Sequence, residues 1–150
     1  MFLLVVFNIK SMIEIYLTNK EEYPAAQAFY SSVKYYTPIV ESDKVFIAKK
    51  ADEIVGVVRL SFEEGYTLLR GMFIAPHLQR QGIGSLMIKE LEKHIESRAA
   101  YCLPHGWLEN FYGQIGFRKI SDIEAPPHMQ IRINEYRNIH PQMIVMGRFV

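Results

Sequence analysis

The sequence predicts an α/β fold built around one mixed β-sheet, and two observations lead to this prediction. Residues 44–49 and 54–61 are β-prone runs separated by four residues, a spacing typical of an antiparallel hairpin. Residues 66–74 form a third β-prone run, followed by a long amphipathic segment and a short apolar run at 99–103. A strand–helix–strand unit of this kind is a right-handed crossover that joins parallel strands. The sheet is therefore expected to contain both antiparallel and parallel pairs.

The composition is that of one folded domain spanning residues 1–150. The hydrophobic fraction is 49%, and a chain of 150 residues can bury a core without disulfides or metal ions. Cys102 is the only cysteine, so neither an intrachain disulfide nor a thiolate metal cluster can form, which suits a reducing cytoplasm. The formal charge is +1 without a run of like charges, so nucleic acid is not favoured as a partner.

The first residues leave two interpretations open. Residues 1–7 resemble a short signal core, but they lack a basic leading segment and a small-residue cleavage site, and they are too short to cross a bilayer. No membrane association is therefore expected. Residues 1–11 are either an extension from an upstream start codon, because a better strand follows Met12 at residues 13–17, or an extra edge strand.

The first half of the chain gives one helix and three strands after that opening strand. Asn19 with Glu22 can cap a helix start and Pro24 fits a first turn, which predicts a helix over residues 23–33. Residues 50–53 join the two hairpin strands, and residues 63–65 form the next turn. Gly71 lies inside the third strand, where a glycine indicates a bulge or a close backbone approach.

In the second half, helical spacing of apolar residues predicts a helix over residues 82–98. The apolar positions are Ile83, Leu86, Met87, Leu91 and Ile95. Residues 99–103 then read as a buried strand, 107–112 as a short helix, 117–120 as a strand, 128–137 as a helix and 142–149 as the closing strand.

The segment that opens the 82–98 helix has the composition of an anion cradle. Free N–H groups in a helix's first turn and the helix dipole attract phosphate, and Gly82 and Gly84 let a ligand approach the backbone closely. Two glycines alone are weak support, but their position directly after a buried strand strengthens the interpretation.

Two motifs make the interpretation specific. Gln79-x-x-Gly82-x-Gly84 resembles the pyrophosphate-binding motif of the GNAT superfamily of N-acetyltransferases, and residues 111–117, Phe-Tyr-Gly-Gln-Ile-Gly-Phe, resemble that family's later motif. The resemblance covers residues 44–120. It implies a mixed, mostly antiparallel sheet of six or seven strands flanked by helices, and an enzyme that transfers acetyl from acetyl-CoA to an amine. The Gly-x-Gly-x-x-Gly spacing of dinucleotide-binding folds is absent.

The resemblance also implies a cofactor site. Backbone amides of residues 81–85 would hold the pyrophosphate, residues 72–74 would pair with pantetheine like an added strand, and a bulge at Gly71 would free an amide near the thioester. The alternative for Gly71 is tight packing against a side chain. The cofactor-binding residues implied in this way are Met72, Phe73, Ile74, Gln79, Arg80, Gln81, Gly82, Ile83, Gly84, Ser85 and His105.

Tyr112 matches the family's usual general acid, which would protonate the departing thiolate. The alternative is an ordinary core tyrosine. Direct transfer needs no covalent enzyme intermediate, so Cys102 is interpreted as a small buried residue rather than a nucleophile. His105 stands where relatives carry an asparagine that touches pantetheine, and it could contact the cofactor, act as a base or cap the following helix.

The general base is not assigned, because the position of a glutamate used by some relatives is occupied here by Leu68. The candidates are Glu63, Glu64, His105 and His128, each of which could equally be a surface residue. Arg70 lies on the same strand face as Leu68. It could anchor a carboxylate or phosphate of the substrate, or it could form an ion pair with Glu63 or Glu64.

Two other function classes remain open: a non-catalytic acyl-CoA-binding or sensor domain, and a structural protein whose glycines serve only packing. The acceptor is expected to be an amine of a small molecule or peptide, which the sequence does not name. No metal is expected. The oligomeric state is open, with a homodimer among the options.

Overall fold

The computed structural model describes residues 12–150, so the alternatives for residues 1–11 lie outside the described part of the chain. The described residues contain seven strands and four α-helices. In chain order these are β1 (Ile13–Leu17), α1 (Tyr23–Ser32), β2 (Lys44–Lys50), β3 (Glu53–Glu63), β4 (Tyr66–Ile74), α2 (Ile83–Glu92), β5 (Ala99–Cys102), α3 (Glu109–Gly113), β6 (Arg118–Ile120), α4 (Pro127–Ile139) and β7 (Val145–Phe149).

The strands form one mixed sheet in the order β1-β2-β3-β4-β5-β7-β6. β1 pairs with β2, β5 with β7 and β6 with β7 in antiparallel fashion, whereas β4 and β5 are parallel. The predicted mixed, mostly antiparallel sheet of six or seven strands is therefore confirmed, with seven strands, and so is the parallel crossover. The β4–β5 register consists of Thr67 with Ala100 and Leu68 with Tyr101, while β4 continues to Ile74 and β5 ends at Cys102.

The chain divides into two compact units, and the prediction of one domain stays a prediction. The first unit contains residues 12–59 and 71–91 of the described chain. In it, α2 approaches the sheet closely at Gly56. A Cβ added there would lie 2.8 Å from Ile74 Cδ1 and 2.9 Å from Met87 Sδ. A glycine at this position of β3 therefore lets the end of β4 and the body of α2 pack together.

A buried ion pair fixes the loop between α1 and β2 in the same unit. Arg59 Nη1 lies 3.1 Å from Asp43 Oδ2, and both side chains are only 1% exposed. The guanidinium also donates to the backbone oxygens of Pro38 and Thr37, at 2.6 and 3.2 Å. A buried charge is tolerated only when it is paired and hydrogen-bonded, so these contacts hold the loop against β3.

The second unit contains residues 60–70 and 92–150. Its core joins one face of α4 to β4, β5, β6 and β7. The buried members of this core are Leu68, Tyr101, Ile120, Ala125, Met129, Ile133 and Val145. Because α4 places Met129 and Ile133 one turn apart, the same helix side faces this core along its middle.

Two predictions about helix ends differ from the structure. The helix predicted over residues 82–98 ends at Glu92, because the Ile95 N–H bonds back to the Glu92 carbonyl in a tight turn of 3.1 Å. The Ser97 hydroxyl then lies 2.9 Å from both Thr67 Oγ1 and the Ala99 carbonyl, which holds the chain in the approach to β5. Asn19 caps the short 3₁₀ turn at Lys20–Glu22, not α1 itself, whose first turn does contain Pro24.

Candidate active site

The loop predicted to bind pyrophosphate leads directly into α2 within the first unit. A 3₁₀ turn at Pro76–Leu78 is followed by Arg80 with φ +64° and Gly82 with φ +85°. The Leu86 N–H bonds to the Gly82 carbonyl at 3.2 Å, so Gly82 is the N-cap of α2. The amides of Ile83 and Gly84 therefore have no carbonyl within the helix to which they could donate.

The side chain of Gln79 ties this loop to the end of β4. Its Nε2 donates to the Ile74 carbonyl at 3.1 Å. Met72, Phe73 and Ile74 are partly exposed, as are Gly82 and Gly84, whereas Gln79 and Arg80 are exposed. The first unit therefore brings the two predicted parts of the cofactor site, residues 72–74 and 79–85, into one connected segment.

The donors of this segment suit an anionic diphosphate. The amides at the start of α2 and the positive end of its dipole favour negative charge, and the exposed Arg80 adds a cation. Gly82 has a backbone conformation that residues with a Cβ rarely adopt, so the sequence requirement for glycine here has a physical cause. The structure thus fits the anion cradle expected from the sequence.

At Gly71 the tight packing against a side chain is confirmed, and the bulge, with which the backbone conformation is compatible, stays a prediction. The φ of Gly71, +67°, is the left-handed conformation expected for a bulge. The Tyr30 hydroxyl donates to the Gly71 carbonyl at 2.8 Å, and a Cβ at Gly71 would lie 2.5 Å from the Tyr30 Oη. Tight packing against a side chain is therefore present as well. Phe73 contacts the Tyr30 and Tyr35 rings, with centroids 6.2 and 4.8 Å away.

Tyr112 lies in α3, in the second unit, and its side chain is 5% exposed. Its ring packs edge-on against Phe111 and Phe117, at centroid distances of 4.9 and 6.4 Å. Burial raises the pKa of the Tyr112 phenol well above its ordinary value of 10.0, and the neighbouring Cys102 raises it further. The phenol therefore carries its proton at neutral pH and can act as a donor.

Cys102 is the last residue of β5 and is 2% exposed. Burial raises the pKa of its thiol well above the ordinary value of 9.0. A nucleophilic cysteine needs a lowered pKa and access to substrate, and Cys102 has neither property. The interpretation as a small buried residue is confirmed.

His105 stacks on the Trp107 ring, with centroids 4.3 Å apart, and meets His140 edge-on at 5.2 Å. Its backbone carbonyl, but not its side chain, accepts a bond from the turn at Gly106–Leu108. Side-chain capping is therefore not its role. Burial, with a smaller contribution from His140, lowers the pKa of His105, so its imidazole is neutral near pH 7. Its Nδ1 is shielded from solvent without a hydrogen-bond partner among residues 12–150.

Arg70 forms an ion pair with Glu63, one of the two roles left open for it, at 3.0 Å between Nη1 and Oε2. The sequence reasoning missed that Arg132 also contacts Glu63, with Nη1 2.8 Å from Oε1, and that His128 Nε2 lies 3.6 Å from the same oxygen. The sequence did contain a sign that His128 and Arg132 lie together, because they are four residues apart and such residues share one face of a helix.

The candidates for the general base have different environments. Glu63 is contacted by the Arg70, Arg132 and His128 side chains just described, and Glu64 is exposed in the turn before β4. Leu68, at the position where some relatives carry a glutamate, is 2% exposed in the core. Within residues 12–150 no cluster of three metal-ligating side chains occurs, and none of the helices found there is long and apolar enough to cross a membrane.

Solved structures similar to this chain include proteins described as acetyltransferases. N-acetylglutamate synthase from Neisseria gonorrhoeae, solved with coenzyme A and N-acetyl-glutamate, matches with a TM-score of 0.66 and 14% identity over 91% of this chain. The match covers 35% of the synthase chain, so the present chain spans about a third of that protein.

Two smaller proteins match over nearly their whole length. Escherichia coli ElaA has a TM-score of 0.66 and 17% identity, covering 91% of this chain and 99% of its own. A GNAT family acetyltransferase from Elizabethkingia anophelis, solved with acetyl-CoA bound, has a TM-score of 0.56 and 16% identity, covering 93% and 99%. At these identities the likeness concerns the fold.

No curated protein sequence matches the chain. A family model does: the one described as the acetyltransferase (GNAT) domain matches residues 41–119, close to the span of residues 44–120 over which the two motifs suggested the resemblance. This match covers more than half of the 150 residues. The chain therefore belongs to the GNAT family of acetyltransferases.

Proposed function

We propose that the protein is an N-acetyltransferase that moves an acetyl group directly from acetyl-CoA to a primary amine. The observation that carries this proposal is the start of α2, where Gly82 is the N-cap and the amides of Ile83 and Gly84 have no acceptor within the helix. Family membership and the coenzyme A or acetyl-CoA complexes of structurally similar proteins support the choice of cosubstrate.

Each part of the chain would have a distinct task. The amides at the start of α2 bind the diphosphate, and the edge of β4 at residues 72–74 offers backbone groups to the pantetheine arm. When bound, acetyl-CoA supplies an acetyl group activated as a thioester. Tyr112 holds a proton at neutral pH and would deliver it to the departing sulfur.

The acceptor must present a neutral amine, because an ammonium nitrogen has no lone pair with which to attack. The ordinary pKa of a lysine-type amine is about 10.4, so a base or a water chain has to remove a proton near pH 7. His105 is a suitable candidate, since its lowered pKa leaves the imidazole neutral. The pH–rate profiles of His105→Gln and Glu63→Gln variants distinguish these two candidates, since loss of the base removes the acidic limb of the profile.

The test is to incubate the purified protein with acetyl-CoA and a panel of amines that includes polyamines, amino acids, aminoglycosides and peptides. The readouts are free thiol release, acetylated product by mass spectrometry, and the melting temperature with and without acetyl-CoA. We expect acetyl-CoA to stabilise the fold and at least one amine to be acetylated. Stabilisation without turnover on any amine would instead indicate an acyl-CoA sensor, and no stabilisation would indicate glycines that serve packing only.

A further inference from the structure

The second unit holds a cluster of charged side chains around one carboxylate. This Glu63 cluster consists of Glu63 at the end of β3, Arg70 on β4, and His128 and Arg132 on α4. The nitrogen–oxygen distances to Glu63 are 3.0 Å for Arg70, 2.8 Å for Arg132 and 3.6 Å for His128. Three groups that can carry positive charge therefore surround one negative charge.

Glu63 is the carboxylate that the two α4 members of the Glu63 cluster share. Within residues 12–150, no carboxylate other than Glu63 comes within 4 Å of Arg132 or His128. The four side chains are only 18–25% exposed, so water solvates the guanidiniums and the carboxylate incompletely. An anion placed here would gain more than it would at an exposed lysine.

Glu63 does not satisfy the hydrogen-bonding capacity of its neighbours. Arg132 Nη1 and His128 Nε2 are shielded from solvent without a well-directed hydrogen bond, although both lie near Glu63 Oε1. The contact of Arg132 with Glu63, Nη1 to Oε1, is not a hydrogen bond, whereas a guanidinium binds a carboxylate best through two parallel hydrogen bonds. A second carboxylate could take the donors that Glu63 leaves unused.

The Glu63 cluster lies beside the place where β4 and β5 stop pairing. Arg70 is two residues beyond Leu68, whose partner in the parallel register is Tyr101. Met129 and Ile133 of α4 pack in one core with Leu68 and Tyr101, which brings His128 and Arg132 to the same region. Cys102, the next residue of β5, is an electrostatic neighbour of Tyr112, so the proposed acid belongs to the same end of the strand pair.

We propose that the Glu63 cluster is an anion subsite that binds a carboxylate of the acceptor through Arg132 and Arg70. The acceptor class is then an amine that also bears a carboxylate, such as an amino acid or a short peptide, and not a polyamine. This inference rests on the proposed N-acetyltransferase activity. Glu63 limits the positive charge of the subsite, and His128 contributes a further donor.

The experiment compares L-amino acids and dipeptides with their C-terminal carboxamides, which keep the amine but lose the charge. For the wild-type protein we expect a higher kcat/KM for the acids. Arg132→Gln should lower kcat/KM for the acids by about ten- to a hundredfold through KM, the effect of losing a hydrogen bond to a charged group, and leave the carboxamides and the KM for acetyl-CoA nearly unchanged. Arg132→Lys should restore part of the loss.

The matched control is Arg137→Gln on the same helix, because Arg137 pairs with Asp122 and lies outside the Glu63 cluster. It should lower the melting temperature without changing the preference for acids. Equal losses on acids and carboxamides in Arg132→Gln, or a wild-type protein that prefers carboxamides or polyamines, would overturn the anion subsite while leaving N-acetyl transfer intact.

If no amine is acetylated, the proposed function fails, and binding alone decides the subsite. In that case thermal stabilisation by amino acids but not by their carboxamides, lost in Arg132→Gln, would support the subsite. Equal stabilisation by both, or none, would refute it.

Discussion

Tyr112 retains its phenolic proton more firmly than an exposed tyrosine, because burial disfavours the charged phenolate. At neutral pH the residue is therefore a donor and not a base. Proton delivery to a thiolate whose conjugate acid has a pKa near ~8.5 is uphill from such a phenol, so the transfer has to be followed by a favourable step of the reaction.

Replacing Tyr112 with phenylalanine removes the proton but keeps the ring that packs against Phe111 and Phe117. We expect turnover to fall by about ten- to a thousandfold, the usual loss for one general acid, with acetyl-CoA affinity nearly unchanged. Steady-state kinetics and a binding titration measure the two quantities. Cys102→Ala, a change at a neighbouring buried residue, should retain turnover.

Below pH 10, ionisation of Tyr112 should not lower wild-type turnover, since the pKa of this phenol lies above its ordinary value of 10.0. Any alkaline decline in that range should therefore also be present in Tyr112→Phe. Unchanged turnover of Tyr112→Phe, at a pH where chemistry limits the rate, would remove the residue from the mechanism and leave it as a core tyrosine.

Gly71 is a second residue that its surroundings constrain, here through the backbone conformation and the space available for a side chain. Gly71→Ala would place a Cβ 2.5 Å from the Tyr30 hydroxyl, at a φ of +67° that alanine rarely adopts. We expect the free energy of unfolding to fall by about 1–3 kcal/mol from the strained backbone, and by more from the clash. Urea denaturation measures the loss.

Tyr30→Phe separates the clash from the backbone strain, because it removes the hydroxyl that a Cβ at Gly71 would meet. It also removes the 2.8 Å hydrogen bond to the Gly71 carbonyl. The cost of Gly71→Ala should be smaller in the Tyr30→Phe background than in the wild type. If Gly71→Ala lowers the free energy of unfolding by the same amount in both backgrounds, a clash with the Tyr30 hydroxyl is not the cause of the loss.

At the scale of elements, the proposed binding of acetyl-CoA depends on the start of α2. Gly82→Val should weaken acetyl-CoA binding strongly, because a branched side chain at the N-cap would enter the space in front of the amides of Ile83 and Gly84. It should also cost stability, since Gly82 has φ +85°. Calorimetric binding and thermal melting measure the two effects separately.

Gly65→Val provides a matched control for backbone strain. Gly65 has a similar φ of +82° in the turn before β4, and nothing lies within 4 Å of a Cβ added there. Both variants should melt at lower temperature, and only Gly82→Val should lose affinity for acetyl-CoA. Equal affinity of a folded Gly82→Val protein and the wild type would contradict the assignment of the loop.

The elements that the sequence predicted well are those that a local sequence pattern specifies. The predicted strand over residues 66–74 has those bounds in the structure, and the start of α2 follows from its glycines. The predicted end of α2 was wrong because the apolar spacing continues to Ile95, beyond the turn after Glu92 that ends the helix. Apolar periodicity indicates which residues face a core, and a residue beyond the end of a helix can face the core too. Periodicity therefore does not locate the helix end.

The site was predictable where its signal is local and not where it depends on distant contacts. Gln79 and Gly82 belong to a short motif, and their contacts with Ile74 and Leu86 lie within a few residues of them. Arg59 with Asp43, and Arg132 with Glu63, are separated by long stretches of chain. Such pairs follow from tertiary packing, which a single sequence without contact information does not specify.

At the scale of the whole molecule, buried groups that ionise at high pH limit the stability of the fold. Burial is the largest cause that raises the pKa of five side chains above their ordinary values of 9.0 for cysteine and 10.0 for tyrosine. These side chains are Tyr16, Tyr23, Tyr101, Cys102 and Tyr112. Each is therefore protonated in the folded protein over a pH range in which the unfolded chain has already lost the proton.

The sign of the pH dependence follows from this difference. Below about pH 9 both states hold these protons, and their contribution to stability is fully present. As pH rises above 9 the unfolded chain releases protons that the folded protein keeps, so unfolding becomes progressively more favourable. We therefore expect the free energy of unfolding to fall between pH 9 and 11, first through Cys102 and then through the tyrosines.

Urea denaturation at pH 7, 9 and 10.5 measures this decline without changing the ionic strength, and the absorbance of ionised phenol follows the tyrosines directly. In the folded protein the phenolate signal should lag behind that of the urea-unfolded chain at the same pH. Cys102→Ala should delay the onset of the decline towards pH 10, because the thiol has the lowest ordinary pKa of the five groups. Constant or rising stability between pH 9 and 10.5 would mean that these groups are accessible to water in the folded protein.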